Sequence, residues 1–211
     1  AAAVWWSDAG TGCVVRLDPS TGPAWAHGLI GAGRELLSDG AGGLVLSEEG
    51  DGRGRVCRLD ASTGGQSWSL LGSAIEDTYS GSGESFGSVA VGQGGRIWVV
   101  RDWYWWSTSF YWYWDEELQQ QVEGYSNEGD SGSEIHSAAP GGSPGLFWTL
   151  EGVGPSRLRA DAGGGLGAIA SYSGPVDLGG AGALQGSGSC LLRFDGRSEE
   201  HTSELQSRIT I

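Results

Sequence analysis

The chain has 211 residues, with 12 Lys plus Arg against 26 Asp plus Glu and a formal net charge of −14. Negative charge of this size repels phosphate backbones and anionic headgroups, which argues against nucleic acid and membrane surfaces as partners. Its 40 glycines recur between short apolar runs without a collagen period, and no run approaches the length of a membrane span, so the expectation is a turn-rich β-protein with no membrane insertion.

From the N-terminus, the apolar run Val4–Trp6 reads as a strand and Cys13-Val14-Val15 as the next. The heptapeptide Arg16-Leu17-Asp18-Pro19-Ser20-Thr21-Gly22 follows, and it returns as Arg58-Leu59-Asp60-Ala61-Ser62-Thr63-Gly64, 42 residues later. A period of about 40 residues is that of one propeller blade. The composition of the heptapeptide has a backbone reason. A strand ending in Asp18 or Asp60 can cap a tight turn, its carboxylate accepting N–H bonds from the residues just ahead, while Pro19 presets φ at the first turn position. Gly22 and Gly64 supply the positive φ that closes such a turn without a Cβ clash. Each copy leads to a tryptophan, Trp25 or Trp68, the second displaced by one residue.

Glycine-rich approaches, Asp39-Gly-Ala-Gly-Gly43 and Gly92-Gln-Gly-Gly95, precede the runs Leu44–Leu46 and Ile97–Val100. With Val4–Trp6 and Leu146–Leu150, these runs read as the same strand of successive units. Glu48-Glu-Gly-Asp51 reads as a hairpin tip. Partner strands carry Arg-Leu-Asp at 16–18 and 58–60, Arg193-Phe-Asp195, and weaker copies at Tyr113-Trp-Asp115 and Arg159-Ala-Asp161.

Between Trp98 and Trp114 the aromatics Trp103, Tyr104, Trp105, Trp106, Phe110, Tyr111, Trp112 and Tyr113 crowd around Ser107-Thr108-Ser109. The segment reads as an aromatic hairpin. Packing between blades and cross-strand aromatic pairs account for it best, because alternate residues face opposite sides of a strand. The functional alternative is a projecting platform for stacking sugars, with Trp103, Trp105, Trp106, Trp112 and Trp114 as the candidate ligand-stacking residues. The polar stretch 116–144 reads as a mobile insertion. Within it, Asp130-Ser-Gly-Ser-Glu134 lacks the ligand alternation of a calcium loop.

No catalytic, cofactor or metal residues are predicted. Cys13, Cys57 and Cys190 lie far apart without a C-x-x-C spacing, so they read as small buried apolar residues. His27 and His136 stand beside no recognisable nucleophile, and no glycine run has the ending of a phosphate cradle. Residues 197–211 resemble the translation of a short-read sequencing adapter and are set apart as a non-native tail. The absence of Met from a chain that opens at Ala1 suggests a piece of a longer protein, with residues 1–196 as its propeller part.

The pattern Leu17-Asp18-x-x-Thr21-Gly22-x-x-Trp25 resembles the tryptophan-docking motif of pyrroloquinoline quinone (PQQ)-type propeller repeats. Arg96-Ile-Trp-Val-Val100 together with the heptapeptide is similar to YVTN and virginiamycin B lyase-like propellers. The resemblance covers residues 4–70 well and 90–195 loosely. It implies an all-β, incomplete β-propeller of about four to five blades, each a four-stranded antiparallel sheet, where such families close with six to eight. In these families the docking tryptophans fasten one blade to the next, which implies that role for Trp25 and Trp68. Asp18, Thr21, Gly22, Asp60, Thr63 and Gly64 then form the structural turns.

The functional expectation is a non-catalytic scaffold or recognition module of an extracytoplasmic bacterial protein, periplasmic or secreted, whose partner is a protein or a glycan. Two alternatives stand beside it. One is part of a propeller enzyme, quinoprotein dehydrogenase-like or streptogramin lyase-like. The other is carbohydrate binding through the aromatic segment 98–114.

Overall fold

The computed structural model describes residues 2–8, 11–50, 53–139, 142–161, 164–177 and 183–194, with side chains from residue 12 onward. Asp195 and the adapter-like tail at 197–211 lie outside the described residues. Those that are described form an all-β chain of antiparallel sheets, broken only by a short 3-10 turn at Gln93–Gly95. The first sheet has strands β1 (Ala2–Asp8), β2 (Thr11–Asp18) and β3 (Gly22–Gly28) in that order. The second is a meander of β4 (Ala32–Ser38), β5 (Gly43–Gly50), β6 (Arg53–Asp60) and β7 (Gln66–Leu71). The third adds a short edge strand β8 (Ala74–Glu76) to β9 (Ser80–Val91), β10 (Ile97–Asp115), β11 (Gln120–Ala138) and β12 (Gly145–Leu150). The fourth orders β13 (Val153–Ala160), β14 (Leu166–Ser173) and β17 (Ser187–Phe194), with a two-stranded ladder of β15 (Val176–Asp177) and β16 (Ala183–Leu184) between the last two in sequence.

One register recurs in all four sheets. Ala2 faces Leu17, Leu44 faces Leu59, Ile97 faces Ala138 and Leu166 faces Phe194. The residue before the second member of each pair is Arg16, Arg58, Ser137 and Arg193 in turn. The leading strand is also matched, with Ser38, Val91 and Ala160 opposite Leu44, Ile97 and Leu166. Three of the four runs read from sequence as one repeated strand therefore coincide, at Val4–Trp6, Leu44–Leu46 and Ile97–Val100. Leu146–Leu150 does not: it is β12, the last strand of the third sheet, paired with β11. The central strand of the fourth unit is Leu166–Ala170.

Consecutive sheets share cores, and period-2 alternation explains how one strand serves two of them. Val14 packs with Leu46, Cys57 and Leu59 between the first and second sheets. Val45 and Val56 pack with Phe86, Val89, Ile97 and Val99 between the second and third. Trp98, Val100 and Ile135 pack with Leu158, Leu166 and Leu192 between the third and fourth. Leu46 and Val45, or Trp98 and Val99, thus point to opposite neighbours, which is why these runs are apolar on both faces. Full burial of such a side chain contributes about 1.5–3 kcal/mol.

The turn entering the central strand is locked in two sheets by the same set of bonds. The Asp39 carboxylate accepts the Gly43 N–H at 2.7 Å and, through its other oxygen, Arg58 Nε at 2.7 Å. Asp161 accepts the Gly165 N–H at 2.7 Å and Arg193 Nη2 at 3.0 Å. Arg159-Ala-Asp161 is therefore not a copy of Arg-Leu-Asp. Asp161-Ala-Gly-Gly-Gly165 repeats Asp39-Gly-Ala-Gly-Gly43, and the arginines of the true copies close on it. Burial raises the Asp39 carboxyl, but bonds from the Gly43 and Ala41 N–H groups and from Arg58 outweigh it and hold the group below its usual range.

Candidate functional site

The two heptapeptides occupy matched turns, from β2 to β3 and from β6 to β7. Asp18 Oδ1 accepts the Ser20 N–H at 2.8 Å and the Ser20 hydroxyl at 2.5 Å. Asp60 Oδ1 accepts the N–H groups of Ser62 and Thr63 at 2.9 and 2.8 Å and both of their hydroxyls. The Ser20 hydroxyl foremost lowers the Asp18 carboxyl, and the Ser62 hydroxyl foremost lowers that of Asp60, to about 2. Gly22 and Gly64 close the turns at φ +84 and +73.

The extra residue of the second copy is absorbed in its turn, since Trp25 stands opposite Arg16 and Trp68 opposite Arg58, each beside a bulge. Trp25 then reaches into the next sheet. Its Nε1 donates to the Ala61 carbonyl at 3.1 Å, beside the bond from Arg16 Nη1 to the same oxygen at 2.9 Å. Its ring lies over Gly64, where an added Cβ would stand 2.7 Å from Cδ2. Trp68 packs against the core between the second and third sheets, and its Nε1 is buried without a partner. The sequence that follows β11, Ala139-Pro140-Gly141, contains no Asp-x-Ser-Thr-Gly to receive it.

The aromatic segment is one 19-residue strand, not a hairpin turning at Ser107-Thr108-Ser109. It pairs along its whole length with β11, so 120–138 of the stretch read as a mobile insertion is the other strand of the ribbon. Glycine explains both departures. Rings of β10 lie across glycines on the flanking strands: Trp103 over Gly132, Tyr104 over Gly83, Trp106 over Gly81 and Tyr111 over Gly124. A glycine- and serine-rich sequence reads as loop, yet aromatic cover from a neighbouring strand makes such a segment a satisfactory strand. Asp115, the weaker Arg-Leu-Asp copy in sequence, caps the ribbon's tip, accepting the N–H groups of Glu117 and Leu118 at 2.9 Å. Gln119 adopts φ +50 there.

Pairing with β9 ends at Ser107, and β12 contacts only Ser133–Ser137. Beyond those points β10 and β11 continue as a two-stranded arm. The candidate stacking residues divide accordingly. Trp98 is 1% exposed in the core, Trp103 and Trp106 are half-buried near the root, and Trp105, Trp112 and Trp114 are exposed. On one face of the arm Phe110, Trp112 and Trp114 form a row, with 66% of Trp112 and 56% of Trp114 accessible. Their cross-strand neighbours on that face are Tyr125, Glu123 and Gln121. Tyr111 and Tyr113 lie on the other face, rings 6.0 Å apart. Tyr79 meets Phe110 edge to face at 5.0 Å and braces the arm's root.

A cavity of about 640 Å³ opens where the arm leaves the body, between the third and fourth sheets. Asp102, Ser133, Trp103, Tyr104 and Tyr172 are among its lining residues. The Ser133 hydroxyl donates to Asp102 Oδ1 at 2.6 Å. Crowding by protein around Asp102 raises its carboxyl against the opposing effect of that bond, although the residue remains open to water within the concavity. Sequence reasoning missed this site. The available signal was the presence of Gly81, Gly83, Gly124 and Gly132 on either side of the aromatic strand, where its rings find cover.

Several polar groups elsewhere are engaged with one another. Arg101 bonds Glu84 and Glu134 at 2.7 and 2.8 Å, and His136 Nε2 lies 2.9 Å from Glu134. Asp130-Ser-Gly-Ser-Glu134 is extended within β11. Glu48, read as part of a hairpin tip, is a buried residue of β5 that binds Arg55 and the Ile30 N–H; Asp51 lies outside the described residues. His27 lies in β3, held below its usual pKa by burial and by Arg55. The three cysteines are unpaired, and burial pushes the Cys57 thiol up to about 11. Among the described residues no three His, Cys, Asp or Glu side chains gather as metal ligands, and no helix is long and apolar enough to cross a membrane. No family model, curated protein or solved structure matches the chain.

Proposed function

We propose that the four sheets are successive blades of a β-propeller arc, and that this arc is a non-catalytic module that recognises glycans through the aromatic arm. The blade reading is supported by the common register of the four sheets and by Trp25, which bonds to and stacks on the turn of the next repeat. An extracytoplasmic setting suits such a ligand. One observation carries the functional reading: the row of Phe110, Trp112 and Trp114 is exposed beside Glu123 and Gln121. Flat apolar faces stack on the C–H faces of sugar rings, while carboxylate and amide groups beside them take up the hydroxyls. Trp112 and Trp114 stay largely accessible, so their exposure has a cost that ligand binding removes.

Affinity electrophoresis against a panel of soluble polysaccharides tests the reading. The wild-type chain is expected to be retarded by at least one of them, and W112A/W114A to lose at least tenfold in affinity with its melting curve unchanged. No retardation by any polysaccharide, or equal retardation of the variant, would overturn it.

A further inference from the structure

We propose that the cavity at the root of the arm is a second binding site, one that seats a neutral sugar unit and sets which glycan is recognised. The inference rests on the glycan reading of the arm and adds a specificity pocket to it. At about 640 Å³ the cavity falls in the size range of small-molecule sites, about 300–1,000 Å³. Its chemistry narrows the ligand. Among the described residues no Arg, Lys or His lines it, so no cation there would hold a phosphate, sulfate or uronate. Six of its lining residues are serines, which disfavours a wholly apolar occupant and matches one rich in hydroxyl groups.

Its two carboxylates are not equivalent. Glu84 is neutralised by Arg101. Among the described residues Asp102 receives one bond, from Ser133 to Oδ1, which leaves Oδ2 as an acceptor for ligand hydroxyls. Tyr104 and Tyr172 add aromatic surface to the walls, and the Tyr104 hydroxyl is oriented by its 3.2 Å bond to Glu76. Acceptor, hydroxyls and aromatic surface together are the groups a pyranose requires. The cavity and the row of Trp112 and Trp114 belong to one continuous ribbon, so a chain of sugars seated at the root can extend along the arm.

Neutral mono- and disaccharides, too short to span both sites, are the probes, titrated against the whole chain by calorimetry. At least one is expected to bind the wild-type and W112A/W114A equally and to lose tenfold or more in D102N. Because Asp102 also receives the Ser133 bond, Ser171→Phe serves as an independent block from an exposed position on the cavity wall, and it is expected to abolish binding. If polysaccharide binding is lost in W112A/W114A but untouched in D102N and Ser171→Phe, the arm reading stands and the cavity inference falls. Binding of amino sugars alone, or of no short sugar at all, would likewise overturn it.

Discussion

Gly22 and Gly64 occupy the same position of the same turn at nearly the same φ, yet their surroundings differ. An added Cβ meets nothing within 4 Å at Gly22, whereas at Gly64 it meets the Trp25 ring at 2.7 Å. Left-handed backbone costs a non-glycine residue about 1–2 kcal/mol. Gly22→Ala is therefore expected to lose about that much in urea denaturation. Gly64→Ala should lose a further 1–3 kcal/mol or so, the usual cost of forcing atoms into a packed contact. Equal losses would mean that Trp25 does not hold the two repeats together. The role of the turn residues was legible, because Asp, Ser, Thr and Gly each act on the backbone within three residues of themselves. The surroundings of Gly64 were not, since they depend on a ring that comes from a different sheet.

Among the elements, the turn entering β5 and the turn entering β14 are built alike and differ in burial. The Asp39 side chain is fully buried with Arg58, whereas the Arg193 side chain is 73% exposed beside Asp161. Removing one member of a buried pair leaves an uncompensated charge and costs about 3–5 kcal/mol. An exposed pair contributes about 0–1 kcal/mol, and a lost bond to a backbone N–H about 1 more. Asp39→Ala is thus expected to destabilise the chain by several kcal/mol and Asp161→Ala by about 1–2, read from denaturation midpoints. Similar losses at the two sites would contradict this account of the repeated lock.

The second turn is present in the sequence as Asp161-Ala-Gly-Gly-Gly165, but Leu146–Leu150 has the higher apolar content. Hydrophobicity identifies strands without saying which strand of a unit each one is. Pairing decides that, and pairing is non-local. The same limit concealed the arm: Gln120–Ala138 has the composition of a loop and becomes a strand because rings of β10 cover Gly124 and Gly132.

The molecule as a whole divides into a repeating body and an arm inserted in its third unit. The body is held by cores between consecutive sheets, none of which includes a residue from 101 to 134. An isolated two-stranded ribbon is marginal in water, so the arm depends on the body, and the body does not depend on the arm. Tyr104 and Ser131 face one another, which permits the arm to be closed there by a two-residue Asn-Gly turn. The decisive measurement replaces residues 105–130 with Asn-Gly and records thermal unfolding and polysaccharide binding on the same sample. A single cooperative transition with β-type circular dichroism retained is expected, together with a loss of at least tenfold in polysaccharide affinity, the root cavity being left to bind short sugars. Loss of the cooperative transition, or a polysaccharide affinity unchanged by the excision, would contradict this division into body and arm.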